Sequence, residues 1–155
     1  MLDAGFIYPI SDSERVSPLI LVPKKNGKWR NCVDYKEMNK STKKDHFPLP
    51  FIGQVLDGIA GKKFFSFLDG FSGYNQIQIS PEDQDKTTFT CPWGTFAYRV
   101  LPFILCNSPT TFQREVLSIF IGLVHGSVEI YMDDFNPYGC DFLESLSNLG
   151  KLLNK

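Results

Sequence analysis

Three features of the chain predict an α+β fold whose sheet is largely antiparallel and packs on helices. Apolar runs come in hairpin-like pairs, helical periodicities fall between and after those pairs, and 155 residues suffice to bury a core. The composition, 43% hydrophobic and 21% charged, is that of an ordinary globular chain. No repeat, low-complexity tract or linker interrupts it.

The elements follow in order. "SPLILVPKKNGKWRNCVDY" reads as a hairpin, two strands about a turn carrying Asn26-Gly27. "PLPFIGQVLDGIAG" places Ile52, Val55, Leu56 and Ile59 at helical spacing, with prolines before it and Gly61 after. "KKFFSFLD", apolar in both phases, predicts a strand buried on both faces. "YNQIQIS" alternates polar and apolar residues, and "KTTFTCPWGTFAYRV" turns near Pro92 to Gly94. In "NSPTTFQREVLSIFIGL", Ser108 is a candidate N-cap, Pro109 fits the first helical position, and Phe112, Val116, Ile119 and Leu123 share a face. "SVEIYMDDFNPYG" predicts a hairpin with Asp133 and Asp134 at its turn. "DFLESLSNLGKLLNK" opens on a capping-box pattern, Asp141 with Glu144, and aligns Phe142, Leu146, Leu149 and Leu153.

The charge is near balance, −1, but unevenly spread. Residues 1–44 carry nine Lys and Arg against five Asp and Glu, and residues 45–155 carry seven against twelve. A basic N-terminal part thus precedes an acidic remainder, a pattern that two solvated surfaces would also produce. Cys32, Cys91, Cys106 and Cys140 show no C-x-x-C pair, which disfavours a zinc site or a disulfide framework and suits a reducing, intracellular compartment, cytoplasmic or nuclear. No apolar run approaches the roughly 20 residues of a membrane span. Ser72 lacks the G-x-S-x-G context of a hydrolase nucleophile, and no P-loop occurs.

The chemistry concentrates on acids. Period-2 geometry from Val128 puts Val128, Ile130 and Met132 on one face and Glu129, Tyr131 and Asp133 on the other, so Asp133 leaves the sheet on a polar face. Asp69 ends "FFSFL" in phase with Phe65 and Phe67, a costly place for an uncompensated charge. Carboxylates converging from two strand ends are what a hard divalent cation requires. Turn-forming aspartates unrelated to one another fit the spacing as well.

Seven segments in one order narrow the choice: "LDAGFIYPISDSERVSP", "WRNCVDYKEMNK", "DHFPLPFI", "FLDGFSGYNQI", "KTTFTCPWGTFAYRVLPF", "NSPTTFQR" and "YMDDF". With these the chain resembles the reverse transcriptases of gypsy-type long-terminal-repeat retrotransposons, nearly end to end. The resemblance implies a right-hand polymerase fold, with fingers over about 1–44 and 80–105, a palm over about 45–79 and 106–155, and no thumb. It implies an RNA-directed DNA polymerase using two Mg²⁺ (or Mn²⁺) ions to add deoxynucleotides from their triphosphates to a primer 3′-end on an RNA or DNA template. By position, Asp69 and Asp133 would bind the metals, assisted by Asp134. Tyr74 matches the aromatic gate that excludes a ribose 2′-hydroxyl. Lys24 or Lys25, with Arg30, matches the residues that contact the triphosphate. Gln113 matches a position near template and primer, and Phe103 one that lines the nucleotide pocket.

The chain departs from the family pattern at three points. Ile104 replaces a glycine, Pro137 falls in the return strand of the acidic hairpin where edges or bulges are its usual place, and the thumb is missing. Met1 falls inside what would be a longer polyprotein. The alternative these features raise is a catalytically dead remnant with at most weak nucleic-acid binding.

Overall fold

A computed structural model describes residues 1–23 and 27–155, so Lys24, Lys25 and the Asn26 half of the expected first turn lie outside the described residues. The elements run β1 (Ile7–Pro9), β2 (Ser17–Pro23), β3 (Trp29–Val33), α1 (Lys36–Ser41), α2 (Ile52–Ile59), β4 (Phe64–Phe65), β5 (Leu68–Asp69), α3 (Pro81–Gln84), β6 (Phe89–Cys91), β7 (Gly94–Tyr98), α4 (Ser108–Ile119), β8 (Val128–Tyr131), β9 (Asp134–Gly139) and α5 (Phe142–Leu153). Short 3-10 turns occupy Gly73–Gln76 and Asp85–Thr87. The chain divides into two compact units, residues 1–44 with 74–108, and 45–73 with 109–155.

The first unit holds a five-stranded sheet in the order β1-β7-β6-β2-β3. Two of the expected hairpins form it. β2 pairs with β3 from Leu19↔Val33 to Pro23↔Trp29, and β6 turns through Pro92 and Trp93 into β7. A short parallel contact, Ser17↔Phe89 and Pro18↔Thr90, joins the two hairpins. The apolar centre is Val33, Tyr35, Phe89 and Tyr98. Burial pushes the Tyr35 hydroxyl pKa upward, and that hydroxyl donates to the Thr87 carbonyl at 2.6 Å. The alternating "YNQIQIS" forms a 3-10 turn and an isolated bridge, Gln78↔Val100, where a strand was expected.

The second unit is organised about β9. Its one edge pairs with β8 and its other edge with β4 and β5. Pro137 therefore sits in a central strand and is fully buried, against the expectation of an edge. Tolerance comes from the ladder. Toward β8, Pro137 pairs with Val128 at a position flanked by hydrogen-bonded neighbours, where Tyr138 N–H donates to Ser127 O at 3.1 Å. Toward the other edge, Ser66 N–H donates to Pro137 O at 3.0 Å, but proline has no N–H to return. The ladder breaks there, and the expected strand "FFSFL" appears as β4 and β5, parted at Ser66–Phe67. Phe64, Phe65 and Phe67 are exposed, so that run is not buried on both faces as its composition suggested.

α5 is also rotated from its expected face, with Leu149 half-buried between the two. Ser145, Asn148 and Leu152 are buried, whereas Phe142, Leu146 and Leu153 are exposed. Two contacts set this orientation. Asn148 Nδ2 donates to Tyr138 O at 2.8 Å, and Gly139 lies directly against the first turn of the helix. The capping residues are the expected ones: Glu144 N–H donates to Asp141 Oδ1 at 2.9 Å, and Cys140 N–H donates to Glu144 Oε2 at 2.6 Å. In α4, Ser108 is the first helical residue and its hydroxyl donates to Pro102 O at 2.7 Å, so it anchors the preceding loop in place of capping the helix. Leu123 falls beyond the end of that helix, and Ile119 is half exposed.

A Cβ at Gly139 would meet the Ser145 nitrogen and come within 2.9 Å of Asp141 O, both backbone atoms that cannot swing away. Gly139→Ala is therefore expected to lower the unfolding free energy by about 1–3 kcal/mol. Urea denaturation of the two proteins, compared at equal slope, checks this.

Candidate active site

The acidic hairpin closes as expected, with register Tyr131↔Asp134 and a turn at Met132 and Asp133. The strict alternation of β8 ends before that turn, because Met132 takes the left-handed region at φ +55. Asp133 is therefore aimed by the turn and not by the strand's polar face. β5 brings the third acid alongside: Asp69 is the direct cross-strand partner of Asp134, and Gly70 N–H donates to Asp133 O at 2.7 Å. The backbones of Asp69, Asp133 and Asp134 are thus neighbours although 64 residues separate Asp69 from Asp133 in the chain. Phe120 packs edge-on against Phe135 at 5.3 Å between centroids, supporting β9 next to the acids.

Gln113 explains how the turn is held. It is 1% exposed, and its Oε1 accepts Met132 N–H at 3.1 Å. A left-handed conformation at a non-glycine residue is unfavourable, and the buried Gln113 amide offsets it by accepting a hydrogen bond from the turn's Met132 N–H.

The donor set has the chemistry a hard cation needs: three oxygen-donor side chains on adjacent backbone positions, with Asp69 and Asp134 exposed to solvent. The side chains themselves are not gathered. Among the described residues, no three acidic, histidine or cysteine side chains are arranged to hold a metal ion. Like charges on adjacent residues repel, which disfavours drawing the three carboxylates together.

In the first unit, Tyr74 is buried in the Gly73–Gln76 turn, with its ring edge-on to Phe103 at 5.1 Å and 84°. These two expected nucleotide-site residues are brought together, Phe103 remaining largely exposed. Arg30 is exposed on β3 opposite Val22. Trp29 faces Pro23 across the hairpin yet remains mostly exposed, so its packing role is slight. Ile104 does not adopt the positive φ for which glycine would be favoured, and its side chain is partly exposed.

Two positioning contacts were not anticipated. Asn39 clasps the loop carrying Phe103 and Ile104: its Nδ2 donates to Ile104 O at 3.1 Å and its Oδ1 accepts Cys106 N–H at 2.9 Å. Asparagine inside a helix is the local signal that could have pointed to it, since that residue is a weak helix former. In the second unit, Arg114 reaches Asp45 Oδ2 at 2.6 Å and lies over the Phe47 ring at 4.8 Å. The Phe47 N–H and then the Arg114 guanidinium hold the Asp45 carboxyl below its ordinary pKa.

Glu129 corrects the face assignment on β8. It is buried, with Oε2 3.0 Å from His125 Nδ1, and it lies against Gly58 of α2, where an added Cβ would stand 2.5 Å from Oε1. β8 is apolar and buried on one side, and on the other it encloses a carboxylate. Burial raises the Glu129 pKa, opposed by the charge and hydrogen bond of His125.

The comparisons with known proteins agree with this architecture. Residues 22–154 match the family profile "Reverse transcriptase (RNA-dependent DNA polymerase)", and the chain belongs to that family. It is 38% identical over 151 residues to the Retrovirus-related Pol polyprotein from transposon 412 of Drosophila melanogaster, covering 94% of this chain and 12% of the relative. It is 36% identical over 154 residues to the Transposon Tf2-3 polyprotein of Schizosaccharomyces pombe, again covering 12% of that protein. The chain thus spans about an eighth of the curated relatives it matches. The native protease-reverse transcriptase of prototype foamy virus superposes with a TM-score of 0.86 at 28% identity, over 97% of this chain and 20% of that one. The foamy viral protease-reverse transcriptase in complex with RNA/DNA hybrid gives 0.88 over 99% of this chain and 20% of the other, a likeness of fold at 24% identity. The α+β fold is that of reverse transcriptase fingers and palm.

Gln113→Leu removes the acceptor of the partly buried Met132 N–H and is expected to cost about 1–3 kcal/mol, with faster amide exchange at Met132 read by NMR. A second expectation concerns pH. A carboxyl whose folded-state pKa is raised favours folding fully below its ordinary value of 4.5, and that contribution is lost as pH rises through the folded value. Glu129→Gln, which cannot ionise, is therefore expected to gain stability relative to wild type as pH is raised above 4.5. Chemical denaturation of the two proteins at pH 4.5 and at successively higher pH checks the sign.

Proposed function

We propose that this chain is the fingers and palm of a reverse transcriptase from a gypsy-type long-terminal-repeat retrotransposon polyprotein, with fingers over about 1–44 and 80–105 and palm over about 45–79 and 106–155, bounds that lie close to those of the two compact units. The observation that carries the proposal is the register that sets Asp69 against Asp134, with Asp133 at the adjoining turn. The reaction is nucleotidyl transfer: a primer 3′-oxygen attacks the α-phosphate of a deoxynucleoside triphosphate and pyrophosphate leaves. The partners are an RNA or DNA template-primer and the incoming nucleotide, in an intracellular setting. No described helix is long and apolar enough to cross a membrane.

Asp69 and Asp133 would hold the divalent ions, Mg²⁺ or Mn²⁺, with Asp134 assisting; when bound, such a pair activates the attacking oxygen and stabilises the leaving one. The chain's own residues do the rest. Gln113 keeps the Met132 turn closed and so fixes the Asp133 backbone. Tyr74, backed by Phe103, selects deoxynucleotides by filling the place of a ribose 2′-hydroxyl. Arg30, with Lys24 or Lys25, binds triphosphate oxygens, for which guanidinium and ammonium groups are suited.

A second reading, a catalytically dead remnant that binds nucleic acid weakly, is favoured by the carboxylates that do not gather among the described residues. Primer extension on an RNA template separates the two. A longer polypeptide in which this chain is followed by a thumb is expected to extend a primer with Mg²⁺ or Mn²⁺, and Asp133→Asn is expected to reduce extension to background. Absence of extension by the unsubstituted polypeptide rejects the polymerase reading. Recovery of extension only in Ile104→Gly would place the lesion in the nucleotide pocket.

A further inference from the structure

We propose that the first unit binds a small organic monoanion, a carboxylate on an apolar body, in a cleft bounded by α1, α3 and the loop before α4. The cleft measures about 390 Å³, within the range of small-molecule sites. Its floor is apolar: Met38, Ile79 and Leu105 lie against the core cluster of this unit, with Leu101 beside them. All four are only partly buried, so a ligand's apolar body would remove their remaining surface from water.

The polar groups of the walls are already engaged with the protein. Asn39 bonds the Ile104 and Cys106 backbone, Thr42 Oγ1 donates to Met38 O, Thr87 Oγ1 donates to Gln84 O, and Ser108 Oγ donates to Pro102 O. The wall therefore asks little of a ligand. Arg15 at the rim differs. Its Nη1 makes one long hydrogen bond, 3.3 Å to Ser41 Oγ, and among the described residues it has no carboxylate in ion-pair range. A guanidinium carries five donors in a fixed fork matched to a carboxylate.

The surrounding charges set the ligand's valence. Lys86, the other cation of the cleft, is paired with Asp83, which leaves the lining with a net charge of about one positive unit. Two further clefts adjoin at Arg15 and Lys86 and add Glu14, Asp85 and Glu37. A single negative charge on the ligand is balanced by Arg15, whereas a dianion such as phosphate meets these carboxylates. The cleft lies wholly within the first unit, and none of its lining residues belongs to the nucleotidyl-transfer site proposed above.

The test is an NMR titration of the 155-residue chain with 4-phenylbutyrate, its primary amide and inorganic phosphate, following methyl and backbone signals. The acid is expected to shift Met38, Ile79, Leu101 and Leu105 saturably, with the amide about tenfold weaker and phosphate not saturating. Arg15→Gln, at an exposed side chain, is expected to weaken the acid about tenfold while leaving the other signals in place. Equal affinity for acid and amide, unchanged affinity in Arg15→Gln, saturation by phosphate, or shifts confined to other residues would each overturn the proposal.

Discussion

Strand β9 is the constraint on which the second unit depends. It hydrogen-bonds on both edges, to β8 and to β4 with β5, and α5 lies on it. Every acid of the candidate site takes its place from that strand: Asp134 begins it, Asp133 precedes it at the turn, and Asp69 is set across from it. A strand paired on both sides can slip only by breaking two ladders together, which suits a site where an ångström decides whether carboxylates can share a cation. The supporting shell follows the same logic, because Gln113 fastens the turn through backbone and not through the acids themselves.

Much of this was legible in the residues, and the misses have physical causes. Hairpins read correctly where turn chemistry is local, as at Pro92 to Gly94 and at the aspartate pair. The capping residues of α5 read correctly for the same reason. Faces read less well. Alternation placed Glu129 outward, but the fold lays α2 over it at Gly58, a long-range packing choice without a local signature. Periodicity aligned Phe142, Leu146, Leu149 and Leu153 on one face, yet an asparagine bond to Tyr138 O and the close approach at Gly139 go with a helix rotated about a quarter turn from it. The three acids were singled out individually by spacing and jointly by resemblance, and the strand register makes their backbones neighbours. Gln113 was expected near template and primer, and its backbone bond to Met132 was invisible without coordinates.

The two units divide the chemistry by charge as the sequence does. The N-terminal 44 residues, with their excess of Lys and Arg, fall in the first unit, and Asp69, Asp133 and Asp134 fall in the second. Family membership rests on 133 residues of matched profile and on polyprotein relatives many times longer than this chain. The activity proposed belongs to the acids; the cleft behind Arg15 belongs to a different surface and stands or falls separately.

Pro137 has a consequence beyond the break it leaves opposite Ser66. An imide nitrogen removes one rung wherever the phenylalanine-rich segment is aligned, so the ring does not choose the alignment. That choice falls to the rungs on either side, Phe64↔Gly139 with Phe65↔Tyr138 and Leu68↔Phe135 with Asp69↔Asp134, which keep one register across the interruption. A residue that looks like damage in the return strand is therefore compatible with Asp69 facing Asp134.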